Sequence, residues 1–399
     1  MSQQSLGEDG AFTVDFVAEK VKGAVGRQDA GLKSCSVSEV AEQGQLSRIY
    51  RLRLEWNPSD AAGKRDEEEQ LPDSVIVKVP SLKTISALCD VDEMAALLLS
   101  PELLIGLHNR ESTFYEVVNE GKLPPLPVPL PRCYFQQKLS PETDFRGLIV
   151  LEDLSSKGAF KFLNQGATLT LHETLNAVEM LARLHNYCYE HPEFVDKFER
   201  RDPKMFQNSE AVVQIAAAKL TEYSEKFAQL YPKLKDAFQA GKLLDCINAD
   251  LPYGVPAVLV HGDPWLNNIL FSFDKEDGSV SSEIGALIDW QESHVGAPTE
   301  DILRLLLTSV DAQLRRDNTN LILDHYRRFA AGSAAATSEG VLEGMMARQW
   351  PYALAMGTLE AFLMLQDDNM PQQHMRTVCE RLEKAMEDYL DYLENNDAH

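Results

Sequence analysis

Apolar residues recur at helical spacing over residues 10–27 (Phe12, Phe16, Val17, Val21, Val25), which predicts a leading amphipathic helix. The period then changes. Ser34–Val40 is polar with β-branched positions. Ser47–Trp56 sets Tyr50, Leu52, Leu54 and Trp56 against Ile49, Arg51 and Arg53, and Ser74–Val79 is nearly all β-branched. These three runs read as strands of an antiparallel sheet. A charged, turn-rich loop, residues 57–73, joins the last two. Helical patterns are read over Met94–Leu107 and Arg110–Glu120. Leu123–Pro131 is too rich in proline for helix and is expected to be extended, either as a stiff connector or as a ligand for an SH3-like domain. Arg132–Lys138 and Gly147–Leu151 add two strands. From Leu171 onward helical periodicity dominates, over Leu171–His191, Ser209–Tyr231 and Asp301 to the C-terminus, interrupted by β-like runs near residues 256–292. A sheet-rich first third and a helix-rich remainder predict a two-lobed α+β protein, with residues 1–152 as the N-terminal lobe and 153–399 as the helical C-terminal lobe.

Composition narrows the functional classes. The 399 residues carry 38 Lys and Arg against 62 Asp and Glu, a net charge of −24. Nucleic acid and acidic membrane surfaces, which call for basic faces, are therefore not expected partners. The longest apolar run, Met94–Leu107, is broken by Ser100, Pro101 and Glu102 and is too short to span a bilayer. The first residues lack a basic region followed by an apolar stretch, so no secretory signal is visible. Six cysteines, Cys35, Cys89, Cys133, Cys188, Cys246 and Cys379, show no CxxC or zinc-like spacing and read as reduced, buried thiols of a cytoplasmic protein. No protein partner is evident.

The strongest chemical signal is Val258–Phe271, VLVHGDPWLNNILF. A β run leads into His261-Gly262-Asp263, and Asn268 follows five residues after the aspartate. A kinase catalytic loop has this arrangement, with an aspartate that takes the proton of the attacking hydroxyl and an asparagine that holds a metal. In Ala286–Gln291, ALIDWQ, an apolar strand ends at Asp289, in the position of a second Mg²⁺ ligand. The intervening DKEDGSVSSEIG reads as a hairpin loop that keeps Asn268 and Asp289 on adjacent strands. Lys78 lies inside a β-branched strand, where a lysine is costly to bury unless paired. It is read either as an edge-strand charge or as the lysine that grips the nucleotide phosphates through a helix glutamate, with Glu111 the first choice and Glu116 the second. If the chain is a kinase, Leu148–Ser156 is the hinge, and backbone groups of Glu152, Asp153 and Leu154 meet the adenine edge. Asp153 also suits an N-cap.

These pieces, with Glu42–Arg51, RESTFYEVV, PRCYFQQK, LARLH and IDWQESHVGAPTEDILRLL, follow one another in the order of a known family. Over residues 36–310 the chain resembles the ecdysteroid-kinase-like (choline-kinase-like, CHK kinase-like) branch of the aminoglycoside and choline phosphotransferase superfamily. The resemblance implies a protein-kinase-like fold, with a small antiparallel-sheet N-lobe and a larger helical C-lobe, using ATP and Mg²⁺. It implies Asp263 as general base, Asn268 and Asp289 as Mg²⁺ ligands, Lys78 and Glu111 as the phosphate-orienting pair, and Asp301 as a structural acid. The chain departs from the family at Pro264, commonly Leu there. Gly44 is the only glycine between Ser34 and Trp56, so phosphate contacts are expected from backbone N–H groups and Ser47. His185 and His261 are expected to brace the loop. Trp265, Trp290 and Trp350 are read as pocket-lining residues, with core packing the safer assignment for Trp350 and Tyr352. Met345, Met346, Met356 and Met364 are read as core or as an adaptable acceptor surface. The expected activity is transfer of the γ-phosphate of ATP to a hydroxyl of a small, hydrophobic or amphipathic acceptor such as a steroid or glycoside. The alternatives are a cationic acceptor, as for a choline- or aminoglycoside-type kinase, and a catalytically silent nucleotide-binding scaffold.

Overall fold

The computed structural model describes residues 5–7, 10–40, 46–57, 70–81, 100–162, 165–203, 208–248, 250–366 and 370–396. Gly44, Cys89, most of the charged loop after Asn57, and the first part of the helix read from Met94 lie outside the described residues. Among those described, one compact unit holds the residues up to 81, 100–121 and 131–156, and a second holds 122–130 and 157–396.

The first unit is built on five antiparallel strands, β3 (Leu32–Glu39), β4 (Ser47–Trp56), β5 (Ser74–Pro80), β6 (Cys133–Gln137) and β7 (Leu148–Glu152), in the order β3-β4-β5-β7-β6. A two-stranded hairpin, β1 (Ser5–Leu6) with β2 (Phe12–Thr13), precedes α1 (Val14–Ala24), whose start is capped by the Thr13 hydroxyl accepting from the Phe16 N–H. The two-residue period of the strands decides what each face buries. Tyr50, Leu52, Leu54 and Trp56 of β4 and Val75, Val77 and Val79 of β5 pack with Val14, Val17, Ala18 and Val21 of α1 into one core. Lys78 therefore falls on the opposite face, the side of α2 (Pro101–Asn119). That helix is continuous where the sequence suggested two. Ser100 caps it by accepting from the Leu103 N–H, with Pro101 in the first turn where its missing donor costs nothing.

The second unit is mainly helical: α3 (Leu171–Glu190), α4 (Ser209–Tyr223), α5 (Glu225–Leu234), α6 (Ala240–Ile247), α7 (Thr299–Ser309), α8 (Ala312–Phe329), α9 (Val341–Leu365) and α10 (Gln372–Asn396). The helix read over Ser209–Tyr231 is in fact two. Ser224 is extended, and its hydroxyl accepts from the Phe227 N–H to start α5 afresh. Two small antiparallel sheets complete the unit, β8 (Gly158–Phe160) with β10 (Ile269–Phe273) and β11 (Val280–Leu287), and β9 (Val258–Val260) with β12 (His294–Gly296). The prolines of 122–130 belong to this unit, held by the Tyr187 hydroxyl on the Pro124 carbonyl and the Leu287 N–H on the Pro129 carbonyl. Cys133, Cys188, Cys246 and Cys379 are buried free thiols, whereas Cys35 is only half-buried. No helix among the described residues is long and apolar enough to cross a membrane.

On α2, His108 is buried with its Nε2 donating to the Gln137 carbonyl at 2.8 Å and no partner for Nδ1. Burial, opposed by the Gln137 hydrogen bond and aided by the Lys78 charge, lowers its pKa to about 4. In the unfolded chain the ring takes a proton near pH 6.5, so the stability it contributes is present above that pH and is lost as pH falls toward 4. The wild type should lose about 2 kcal/mol between pH 7 and pH 5 through this group. His108→Gln should lose correspondingly less, read as the difference in urea unfolding free energies at the two pH values.

Candidate active site

In the first unit the Lys78 Nζ lies 2.6 Å from the Glu111 Oε2, and both side chains are buried. Glu116, the second choice from sequence, pairs instead with Lys138 at the surface. Register places Ile49 opposite Lys78 and Ser47 opposite Pro80, so Ser47 shares the lysine's face of the sheet and is itself buried. Glu152 ends β7, and its carboxylate accepts from the Arg132 N–H at 3.2 Å. The Asp153 carboxylate accepts from Arg51 Nε at 2.8 Å, from the Ser74 hydroxyl at 2.7 Å and from the Ser155 N–H at 3.1 Å. Burial pushes this carboxyl up, but the Ser74 and Ser155 hydrogen bonds and the Arg51 charge outweigh it and hold it below its ordinary range. Its side chain is committed to closing the Leu154–Ser156 turn and tying it to β4 and β5. Leu154 is buried in that turn.

In the second unit β9 runs into His261-Gly262-Asp263. Asp301, fully buried in the first turn of α7, accepts from the His261 N–H at 2.9 Å, the Gly262 N–H at 2.8 Å and the His185 Nε2 at 3.2 Å. His185 reaches the Tyr326 hydroxyl with its other nitrogen. His261 accepts the Asp263 N–H on Nδ1 and donates from Nε2 to the Ile288 carbonyl, so hydrogen bonding sets its tautomer. Gly262 has φ of 82°, and a Cβ there would lie 2.4 Å from the Glu292 carbonyl oxygen, so no other residue fits. Pro264 is buried beyond Asp263, and the Leu266 N–H is held by the Ser309 hydroxyl.

Asn268 donates its Nδ2 to the Asp263 carbonyl at 2.9 Å, which turns its Oδ1 away from that bond. The hairpin pairs Ile269 with Leu287, and the Ile288 N–H donates to the Asn268 carbonyl at 3.0 Å. Asp289 thus sits beside Asn268 at one end of the hairpin. β11 ends two residues before it, and Asp289 itself adopts a left-handed conformation, φ 65° and ψ 69°, a strained geometry for a non-glycine residue. An amide oxygen and a carboxylate are hard donors of the kind Mg²⁺ takes when substrate phosphates and waters complete its shell. No cluster of three or more His, Cys, Asp or Glu able to hold a metal occurs among the described residues.

The Asp263 carboxyl is four-fifths out of water and is held by Arg304, whose Nε and Nη2 lie 2.9 and 2.8 Å from Oδ1. Arg304 also reaches Glu360 of α9 at 2.8 Å. Burial pushes the Asp263 carboxyl up, Arg304 pulls it down, and Asp289 and Glu292 add to the rise, leaving it above its ordinary value. Sequence reasoning missed Arg304 and Glu360. The signal was the one used for Lys78: a charge inside the apolar runs ILRLLL and TLEAFLML needs a partner. Of the tryptophans read as pocket residues, Trp290 is fully buried, edge-on to His261, and Trp350 stacks on Tyr389. Met345, Met346 and Met364 are buried.

Residues 31–340 match the family model described as DUF1679, uncharacterized oxidoreductase dhs-27. The chain is 24% identical over 307 residues to the uncharacterized oxidoreductase dhs-27 of Caenorhabditis elegans, covering 74% of this chain and 35% of that protein. It is 27% identical over 262 residues to the uncharacterized kinase-like protein D1044.1 of the same organism, covering 63% of each. The chain thus spans about a third of the first relative and just under two thirds of the second. Among solved structures, choline kinase from Cryptosporidium parvum superposes with a TM-score of 0.53 at 10% identity, over 96% of this chain and 97% of that one. The fold is the protein-kinase-like α+β fold.

Removing one partner of the Lys78–Glu111 pair takes away the 2.6 Å ion pair that offsets the burial of the other charge. Glu111→Ala should lower unfolding free energy by about 3–5 kcal/mol. The double variant Lys78→Met with Glu111→Leu should recover most of that loss, as measured by urea denaturation. A double variant no more stable than the single would show that the two charges are not coupled.

Proposed function

The chain belongs to the DUF1679 family, and we propose that within it this protein is an ATP-dependent kinase that phosphorylates a hydroxyl of a small molecule, of the ecdysteroid-kinase-like branch of the aminoglycoside and choline phosphotransferases. The observation that carries the reading is the Asp263 loop. Its aspartate is set by Asp301 and Arg304, its asparagine is locked onto the Asp263 carbonyl, and the hairpin register delivers Asp289 beside that asparagine.

In this reading Asp263 accepts the proton of the acceptor hydroxyl as its oxygen bonds to the γ-phosphorus and the bond from that phosphorus to the ADP oxygen breaks. Asn268 and Asp289 would hold Mg²⁺, which neutralises charge on the triphosphate when bound. Lys78, kept in place by Glu111, would orient the α- and β-phosphates, with Ser47 near it on the sheet and the backbone of Glu152, Asp153 and Leu154 recognising the base. The raised pKa of Asp263 suits a group that must take up a proton. The acceptor in this reading is hydrophobic or amphipathic, steroid- or glycoside-like, as the family resemblance implies. The cytoplasm, where ATP is available, is the proposed site of action.

The test is Mg²⁺-dependent ATP consumption by the purified protein against a pool of steroids, glycosides, choline analogues and aminoglycosides, with mass spectrometry for an added phosphate. Asp263→Asn should lower kcat by about 10²–10⁴-fold while ATP affinity holds. A phosphorylated product that persists in the variant would overturn the role of Asp263. ATP binding without any product would support the silent scaffold instead.

A further inference from the structure

Three helices of the second unit, α7, α9 and α10, leave between them a cavity of about 20 Å³, lined by Leu307, Thr308, Gly357, Glu360, Arg381 and Leu382. A single water needs about 10–15 Å³ of such space, so the cavity has room for one water and nothing larger. Two of the residues that line it are charged, buried and incompletely bonded.

The Glu360 side chain is 10% exposed. Arg304 Nη1 lies 2.8 Å from its Oε2, close enough for Coulomb attraction but out of line for a hydrogen bond, and neither carboxylate oxygen accepts one. Arg381 is 6% exposed. Its Nη1 donates to the Thr308 carbonyl at 2.8 Å and its Nη2 to the Ala167 carbonyl at 3.2 Å, which fixes the guanidinium, while its Nε–H has no acceptor. No hydrogen bond joins Glu360 to Arg381. They meet across the cavity.

Buried donors and acceptors left unmatched are costly. A cation in this cavity would meet the Arg381 charge, an anion would meet the Glu360 charge, and an apolar group would leave both unsatisfied. Water is neutral, donates and accepts, and when buried makes about three hydrogen bonds. The Glu360 oxygens and the Arg381 Nε–H supply partners of both kinds.

We propose that the cavity holds one ordered water that accepts from the Arg381 Nε–H and donates to the Glu360 carboxylate, and that through it Arg381 and Glu360 act as positioning residues for Asp263. The contacts then run from Arg381 to water, Glu360, Arg304 and Asp263. The far end is anchored on two backbone carbonyls, Ala167 and Thr308, so the chain of contacts hangs from fixed points. Glu360 held from behind keeps Arg304 in place, and Arg304 holds the Asp263 carboxylate at 2.9 Å through its Nε. The consequence for catalysis rests on the kinase reading, whereas the water does not.

The first test is a crystal structure of the full chain at a resolution that shows ordered waters. One water should lie within about 3.2 Å of both a Glu360 oxygen and Arg381 Nε. An empty cavity, or a direct Glu360–Arg381 bond, would overturn the assignment. The second test adds a methyl group without touching a charge. Gly357 lines the cavity from α9, and a Cβ there meets only the flexible Leu382 Cδ1, at 3.3 Å. Gly357→Ala should expel the water and lower the urea midpoint, although alanine is the better helix former. Made together with Glu360→Ala, where no carboxylate needs the water, the same change should raise the midpoint. A midpoint that rises in the otherwise native chain, or falls in both backgrounds, counts against the water. For the positioning role the readout is the Arg304 Nε–H resonance in protein labelled with ¹⁵N-arginine. Gly357→Ala should speed its hydrogen exchange at least about tenfold and lower kcat about tenfold with the KM for ATP unchanged. Unchanged exchange would overturn the positioning role. A wild-type protein that lacks turnover would overturn the kinase reading alone, because the water and the exchange rate are measured without catalysis.

Discussion

The second unit is organised around one buried carboxylate. Asp301 has no contact with water, and an isolated charge there would be prohibitively costly. Two backbone N–H groups of the loop and the ring of His185 make up for the lost hydration, and its place in the first turn of α7 adds the favourable end of the helix dipole. Burial pushes its carboxyl up, yet His185 and the His261 N–H bring it below its ordinary value, so it stays ionised. The consequence is geometric. The loop that carries Asp263 takes its position from α3 through His185, from α7 through Asp301 and from α8 through Tyr326, rather than from its own sequence. Gly262 is the price of that attachment, because the chain must pass within a Cβ's reach of the Glu292 carbonyl.

Much of this architecture was legible beforehand, for identifiable reasons. Strand and helix periods are local, so α1, β4, β5 and α3 could be read from alternation or amphipathicity alone. The Asp263–Asn268 loop was legible because its chemistry is contiguous in sequence. The break at Ser224 was not, because Ser209–Tyr231 keeps its apolar spacing across a residue whose hydroxyl starts a new helix. Asp289 was read at the end of its strand, but its left-handed backbone was not, since nothing in ALIDWQ signals a turn that glycine would normally make. Trp290 was misread for a different reason. An aromatic next to a metal-binding motif looks like a pocket residue, and only the packing of His261 against it reveals a brace.

Arg304 and Glu360 were invisible for a deeper reason. Their partners lie tens of residues away on other elements, and no short motif contains both halves of such a contact. What sequence does contain is the anomaly of a charged side chain within an apolar helical run. The anomaly states that a partner exists without naming it.

Two buried ion pairs, Lys78 with Glu111 and Arg304 with Asp263 and Glu360, now have the same status. In each, desolvation consumes much of the attraction, and apolar residues of equal volume would commonly hold the fold as well or better. Such pairs are therefore poor devices for stability. They are good devices for fixing a charge at a point, because a charge that must remain paired has few rotamers open to it. Arg304 shows the distinction most clearly. If it served only to neutralise Asp263 it would need a single partner, but it spans two carboxylates on different elements and lies over Trp265. Three contacts from two elements, the Asp263–Trp265 loop and α9, define where a guanidinium sits, and with it where the Asp263 oxygen sits. Precision at that oxygen is what transfer to a hydroxyl demands, and it is the return on burying the charges.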